Sequence, residues 1–141
     1  MTDELNEIVQ YLYHVRNFPN ERGHVTWQLE NPPRDLSAGP TPAMLTFTLV
    51  AKIIDLQRLQ NVIINVPIDA KATWETFNCQ TWVQNAVAAI AADGCLGTNV
   101  LAQGWPALYT QCVTFSEPYR LARMRSQDLP DPRPCQNLVS N

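Results

Sequence analysis

Two spacings of apolar residues divide this chain, a spacing of two before residue 70 and a helical spacing after residue 78. Val9, Tyr11, Tyr13 and Val15 alternate with Gln10, Leu12, His14 and Arg16. That alternation of β-prone side chains predicts a strand over residues 8–16. A helical stripe of Leu5, Ile8, Val9 and Leu12 competes over residues 3–16, but the residue types favour the strand. Pro19-Asn20-Glu21-Arg22-Gly23 is turn chemistry. A second strand follows over 24–30, with His24, Thr26 and Gln28 on one face and Val25, Trp27 and Leu29 on the other, so the two strands make a hairpin. Residues 31–42 carry Pro32, Pro33, Gly39, Pro40 and Pro42 and read as a mobile loop. The run 43–54 is β-prone, 55–60 is a polar connection, and 61–68 is a fourth strand ending at Pro67.

From Asn78 to Ala92 the period becomes helical, with Val83, Ala86, Val87 and Ile90 on one stripe. Asp93-Gly94 ends that helix, with Gly94 as its C′ residue. Residues 99–103 and 106–125 hold further helix, punctuated by Pro106 and Pro118. The predicted fold class is α+β: an antiparallel sheet of about four strands in the N-terminal two thirds, packed against the cysteine-bearing helix, with more helix beyond. Residues 1–126 form one domain, and 127–141, with Pro130, Pro132 and Pro134, an irregular tail.

Bulk properties narrow the function classes. At 141 residues the chain has one domain's length and can bury a core. Its net charge of −3 and lack of any Lys/Arg run argue against nucleic acid and anionic membrane partners. No apolar run approaches the ~20 residues of a membrane span. The acidic start Met1-Thr2-Asp3-Glu4 lacks a signal peptide's pattern, which makes a cytoplasmic protein the expectation. Four cysteines without CxxC spacing and only two histidines leave no zinc site to expect, and nothing calls for a cofactor. In a reducing compartment the cysteines are free thiols. In an exported protein Cys95, Cys112 and Cys135 are available for a disulfide.

Cys79 opens the helical segment in Phe77-Asn78-Cys79-Gln80-Thr81-Trp82-Val83. Unpaired amides and the macrodipole at a helix start favour thiolate over thiol, and the thiolate is the nucleophile. Thiol catalysis also needs a base and oxyanion donors. His24, at the head of a strand, is the predicted base, and His14 is the only other imidazole in the chain. Gln28, Asn78 and Gln80 are the orienting or oxyanion candidates, with Thr26, Thr46 and Thr48 as further orienters, and Trp27 and Trp82 are candidates to line a pocket. Each has a plainer role to weigh. A cysteine on an apolar helix face is usually a small buried hydrophobe, Asn is an ordinary N-cap, and tryptophans fill cores.

The same seven residues resemble the Asn-Cys-x-x-(Trp/Phe)-Val signature of permuted NlpC-type, papain-like thiol proteins. That superfamily includes lecithin:retinol acyltransferase-like proteins and PPPDE-type peptidases. The order of His24, strands, then Cys79 at a helix start is also similar to theirs. More closely, residues 8–96 resemble uncharacterised fungal proteins, mostly basidiomycete, with an Asn-Cys-Gln-x-Trp-Val helix. The resemblance implies a permuted papain-like fold, Cys79 as nucleophile and His24 as base. The function it implies is a hydrolase or acyltransferase acting on an amide, ester or thioester of a small-molecule or peptide substrate. The alternative is a non-catalytic small-molecule or protein-binding domain on the same fold, lined by the aromatics and the 31–42 loop.

Overall fold

The computed structural model describes residues 11–19, 21–36, 39, 41, 43–69, 75–99 and 101–139. Residues 8–10 of the first predicted strand lie outside them, as do Trp74 and residues 140–141. The described chain is mixed α and β, with β1 (Tyr11–Leu12), β2 (Val15–Pro19), β3 (Val25–Leu29), β4 (Arg34–Asp35), β5 (Phe47–Leu49), β6 (Ala51–Ile53), α1 (Leu56–Ile64), α2 (Cys79–Asp93), β7 (Leu96–Asn99), α3 (Trp105–Met124) and β8 (Cys135–Asn137). It falls into two compact units, Met1–Thr41 with Pro67–Trp82 and Pro42–Val66 with Val83–Asn141. The strands form four separate pairs, β1–β4, β2–β3, β5–β8 and β6–β7, which corrects the expectation of one four-stranded antiparallel sheet.

In the first unit β2 and β3 make the expected antiparallel hairpin, in the register Val15↔Leu29 to Pro19↔Val25. Gly23 sits at φ +78° in its turn, a conformation that disfavours a side chain. The first strand differs from the prediction of one strand over 8–16. Tyr11 and Leu12 pair with β4 across Tyr11↔Asp35 and Leu12↔Arg34, and the chain then changes partner. The hairpin strand thus runs on through Pro19, which closes it without needing an N–H to donate. Among the described residues of this unit, Val15, Trp27, Leu36, Phe77 and Trp82 are the buried apolar ones.

In the second unit the predicted 43–54 strand is broken at Val50, and its halves find different partners. β5 runs parallel to β8 through Phe47↔Cys135, Thr48↔Gln136 and Leu49↔Asn137. β6 runs antiparallel to β7, with an irregularity between Ala51 and Ile53. Residues 135–137 therefore leave the expected irregular tail to become strand. Phe47 N–H donates to the Pro134 carbonyl and Leu138 N–H to the Leu49 carbonyl, both at 2.9 Å, and Val139 is buried. Arg133 Nε adds a bond to the Met44 carbonyl at 2.9 Å.

The predicted strand at 61–68, with its polar lead-in 55–60, is corrected to helix. Asp55 caps α1 by accepting from Arg58 N–H at 3.0 Å. Leu59, Val62, Ile63 and Val66 sit at i, i+3, i+4 and i+7, and Ile63 and Val66 are buried. The helical spacing overrides the β-branched composition. α2 matches its prediction within a residue at each end, and Gly94 follows at φ +87°, the left-handed C′ geometry. Its buried line is shifted by one position, however. Trp82 and Ala86 are buried while Val83 is 38% exposed, because the indole is the larger apolar body to remove from water.

The far end of α2 is pinned by Arg58, whose guanidinium lies 3.0 Å from the Asp93 carboxylate and donates to the Asp93 carbonyl at 2.5 Å. The Cys95 carbonyl accepts from Ile54 and Asp55 N–H at 3.0 and 3.3 Å. α3 carries Pro106 in its first turn, as expected of a start signal, and holds Pro118 without ending there. Among the described residues no helix is long and apolar enough to cross a membrane.

Candidate active site

The start of α2 is built by its own sequence. Asn78 Oδ1 accepts from the backbone N–H of Gln80 at 2.9 Å and of Thr81 at 3.3 Å. In return Thr81 Oγ1 accepts from Asn78 N–H at 3.3 Å. This is a capping box with threonine in the place usually held by Glu or Gln. Trp82 N–H closes the first helical bond onto the Asn78 carbonyl at 3.1 Å. Phe77 and Trp82 occupy the N′ and N4 positions of a hydrophobic staple, and both are buried. Four of the motif's residues are thereby accounted for by helix initiation, and the Asn78 carboxamide oxygen is spoken for as a cap.

Cys79 stands at N1, a position to which the cap and the staple assign no role. Its thiol is half-buried. Of the first amides, Gln80, Thr81 and Trp82 have acceptors, whereas the Cys79 amide has none among the described residues. A nucleophile candidate and an uncommitted donor therefore share one residue.

One turn on, Trp82 is 3% exposed and its Nε1 has no hydrogen-bond partner among the described residues. A buried unpaired donor costs about 1–3 kcal/mol. Phe77 meets the Trp27 ring edge-on, with centroids 6.3 Å apart at 79°, which fixes the chain entering α2 against β3. Trp27 is itself 5% exposed. Both tryptophans are thus buried bodies rather than walls of an open cleft.

The remaining candidates are dispersed. His24 is exposed at the turn end of β3, and Cys79 makes no hydrogen bond to it among the described residues. Gln28 donates to Thr26 Oγ1 at 2.9 Å, so it orients a neighbour on its own strand face. Gln80 is exposed. Thr48 accepts from Gln136 Nε2 at 3.4 Å in the other unit. By strand alternation Thr26 and Gln28 share the face opposite Trp27. Carried one residue beyond each end of β3, the same alternation takes His24 and Glu30 to that face.

The sequence reading missed a carboxylate-bound histidine. Glu30 N–H donates to the His14 carbonyl at 3.0 Å, extending the β2–β3 ladder by one pair. Their side chains meet in a short contact between His14 Nε2 and Glu30 Oε2. Arg34 lies over the same carboxylate, its Nη2 3.3 Å from both oxygens. The His14 hydrogen bond, aided by Arg34, holds the Glu30 carboxyl below the usual carboxylate range against the opposing effect of partial desolvation. An imidazole bound this way has one ring nitrogen committed and the other left for chemistry.

Cys95, the other cysteine at an end of α2, is 0% exposed, and burial, reinforced by Asp93, pushes its thiol up. Cys112 is half-buried and Cys135 exposed, and all four are free thiols. Among the described residues no group of three or more His, Cys, Asp or Glu is placed to hold a metal ion.

A family model matches residues 2–134, nearly the whole chain and every residue of this site. The chain belongs to DUF6914, a family of unknown function. No curated protein and no solved structure matches it. Membership therefore gives the DUF6914 chain no chemistry by inheritance, and any functional reading rests on its own residues.

Proposed function

We propose that this protein is a cysteine-dependent hydrolase or acyltransferase, with Cys79 as nucleophile toward an amide, ester or thioester carbonyl. The observation that supports it best is the Cys79 amide, uncommitted among the described residues, beside a half-buried thiol at a helix start capped by Asn78. The thiolate forms a bond to the carbonyl carbon, and the carbonyl electron pair moves onto oxygen, where the amide meets it. Collapse restores the carbonyl and expels the leaving group, which takes the proton that an imidazole drew from the thiol. Water, or an acceptor nucleophile, then cleaves the thioester.

Two histidines compete for the base. Chain order and the superfamily resemblance favour His24. The Glu30 contact favours His14, because a carboxylate supplies the orienting group that thiol–imidazole sites use, and we assign the base to His14. The test is reaction with p-nitrophenyl acetate. We expect mass spectrometry to find the acetyl group on Cys79, and turnover to vanish in Cys79→Ala. His14→Gln should slow turnover by about 10²–10⁴-fold, whereas His24→Gln should leave it near wild type. The reverse order of effects would return the base to His24. Undiminished turnover in Cys79→Ala would end the enzymatic reading.

A second reading is a non-catalytic binding domain. It is favoured by the hairpin alternation, which sets His14 and His24 on the face opposite the one Phe77 packs against. On that reading Cys79→Ala keeps every activity and all ligand affinity.

A further inference from the structure

We propose that α3 is a self-association surface, on which a second copy of this chain docks its own α3, antiparallel, about a two-fold axis. Of the twenty residues of α3 only Leu108 is buried. Leu108, with Phe115 and Ala122 half-buried at spacings of seven, sets the inward line of the helix. Two flanks remain. One carries Ala107, Thr110, Gln111, Thr114 and Pro118, all exposed and all small or polar. The other carries Trp105, Tyr109, Val113, Ser116, Arg120 and Met124, at intervals of four, four, three, four and four, which is one helical stripe. Tyr109, Val113 and Met124 are the exposed large apolar side chains of α3, so its uncovered apolar surface is gathered on that one flank. Trp, Tyr, Met and Arg are also the residue types that protein interfaces enrich.

The order of residues along the stripe selects the occupant. Its intervals are the same in either direction about a midpoint between residues 114 and 115. In an antiparallel pair centred there, each residue meets the one equally far beyond that point. Trp105 then meets the partner's Met124, Tyr109 the partner's Arg120 and Val113 the partner's Ser116, and the two-fold repeats every contact. A thioether lies against an indole and a guanidinium over a phenol ring, both attractive. Small side chains fall at the crossing, where two helices come closest. Charge sets the direction. Residues 101–116 contain no charged side chain, whereas Glu117, Arg120 and Arg123 follow within α3. An antiparallel pair lays the cationic end of each helix on the neutral, aromatic end of the other, and a parallel pair would set arginine on arginine. The contacting groups are also held in advance. Arg120 donates to the Glu117 carboxylate at 2.8 and 2.5 Å, and its Nη1 lies 3.0 Å from Met124 Sδ, so the guanidinium lies along the stripe. The Tyr109 ring packs on Trp105 with centroids 5.7 Å apart. Side chains ordered before docking lose less freedom on docking.

The experiment is sedimentation velocity on the full chain over a dilution series, where we expect a monomer–dimer equilibrium. Tyr109→Arg sets a cation against the partner's Arg120 and should weaken dimerisation by about 10–10³-fold, since the two-fold counts each loss twice. The exchange Tyr109→Arg with Arg120→Tyr again sets an aromatic ring against a cation, with the roles reversed. It should bring dimerisation back to within about tenfold of wild type, a rescue that reports direct coupling between the two positions. Both positions are exposed, so neither substitution takes packing from the second unit. A wild-type monomer at every concentration, which would leave the stripe to a foreign partner, would overturn the proposal. So would a dimer that Tyr109→Arg leaves undiminished, or an exchange variant that associates no better than Tyr109→Arg alone.

Discussion

Residue by residue, the start of α2 shows how much of a suggestive motif is structural. Asn78, Thr81, Phe77 and Trp82 each have a helix-initiating task, so Cys79 is the position that initiation does not explain. Asn78→Ala should cost about 1 kcal/mol in urea unfolding, and Asn78→Gly only a few tenths. The cap and the thiol position were legible because Asn, Thr and their apolar flanks stand at fixed offsets. The His14–Glu30 pair was not. It depends on a hairpin register in which Val15 faces Leu29, and the alternation of residues 8–16 suggested a strand ending where β2 has barely begun. The lowered Glu30 carboxyl has a direct consequence. The unfolded carboxyl, near its ordinary 4.5, takes up a proton more readily than the folded one. The pair's stabilisation is therefore complete above that pH and lost as pH falls through the lower folded value. Glu30→Gln should flatten this part of the acid unfolding profile. A residual slope of the same sign should remain from Glu117, which the Arg120 hydrogen bond lowers likewise.

The elements were legible where pattern, cap and breaker agreed, and illegible where they conflicted. α2 has a cap, an apolar stripe and a terminal glycine, and it was placed within a residue at each end. α1 carries a helical stripe written in Val and Ile, side chains that individually prefer strands. With nine residues it is too short for its period to stand out. Ile63→Ala, which empties a buried position on that stripe, should cost about 2–5 kcal/mol by chemical denaturation. The break at Val50 depends on partners far along the chain, which no local pattern announces. In α3, Pro118 lies in the helix interior and gives the Thr114 carbonyl no N–H to accept. Pro118→Ala should therefore stabilise the second unit, by at most about 3 kcal/mol, seen as a higher midpoint in thermal unfolding.

For the molecule as a whole, mixed α and β content was readable from periodicity alone, while the pairing of strands was not. The permuted papain-like architecture remains the implication of a resemblance. The four thiols report on the intact protein through one measurement, the order in which iodoacetamide labels them. Cys135 should react early and Cys95 only when the second unit unfolds, since burial keeps the Cys95 thiol neutral and covered. Labelling of Cys95 under native conditions would show that the second unit opens more readily than its packing implies.

The β5–β8 pair imposes an order on synthesis. Thr48 and Gln136 are 88 residues apart, so a nascent chain exposes the β5 edge long before its mate leaves the ribosome. An open edge recruits any extended chain nearby. The interval between emergence of residue 49 and residue 137 is thus the period in which crowded polysomes would tangle this protein, and in which a holding chaperone would be of most use.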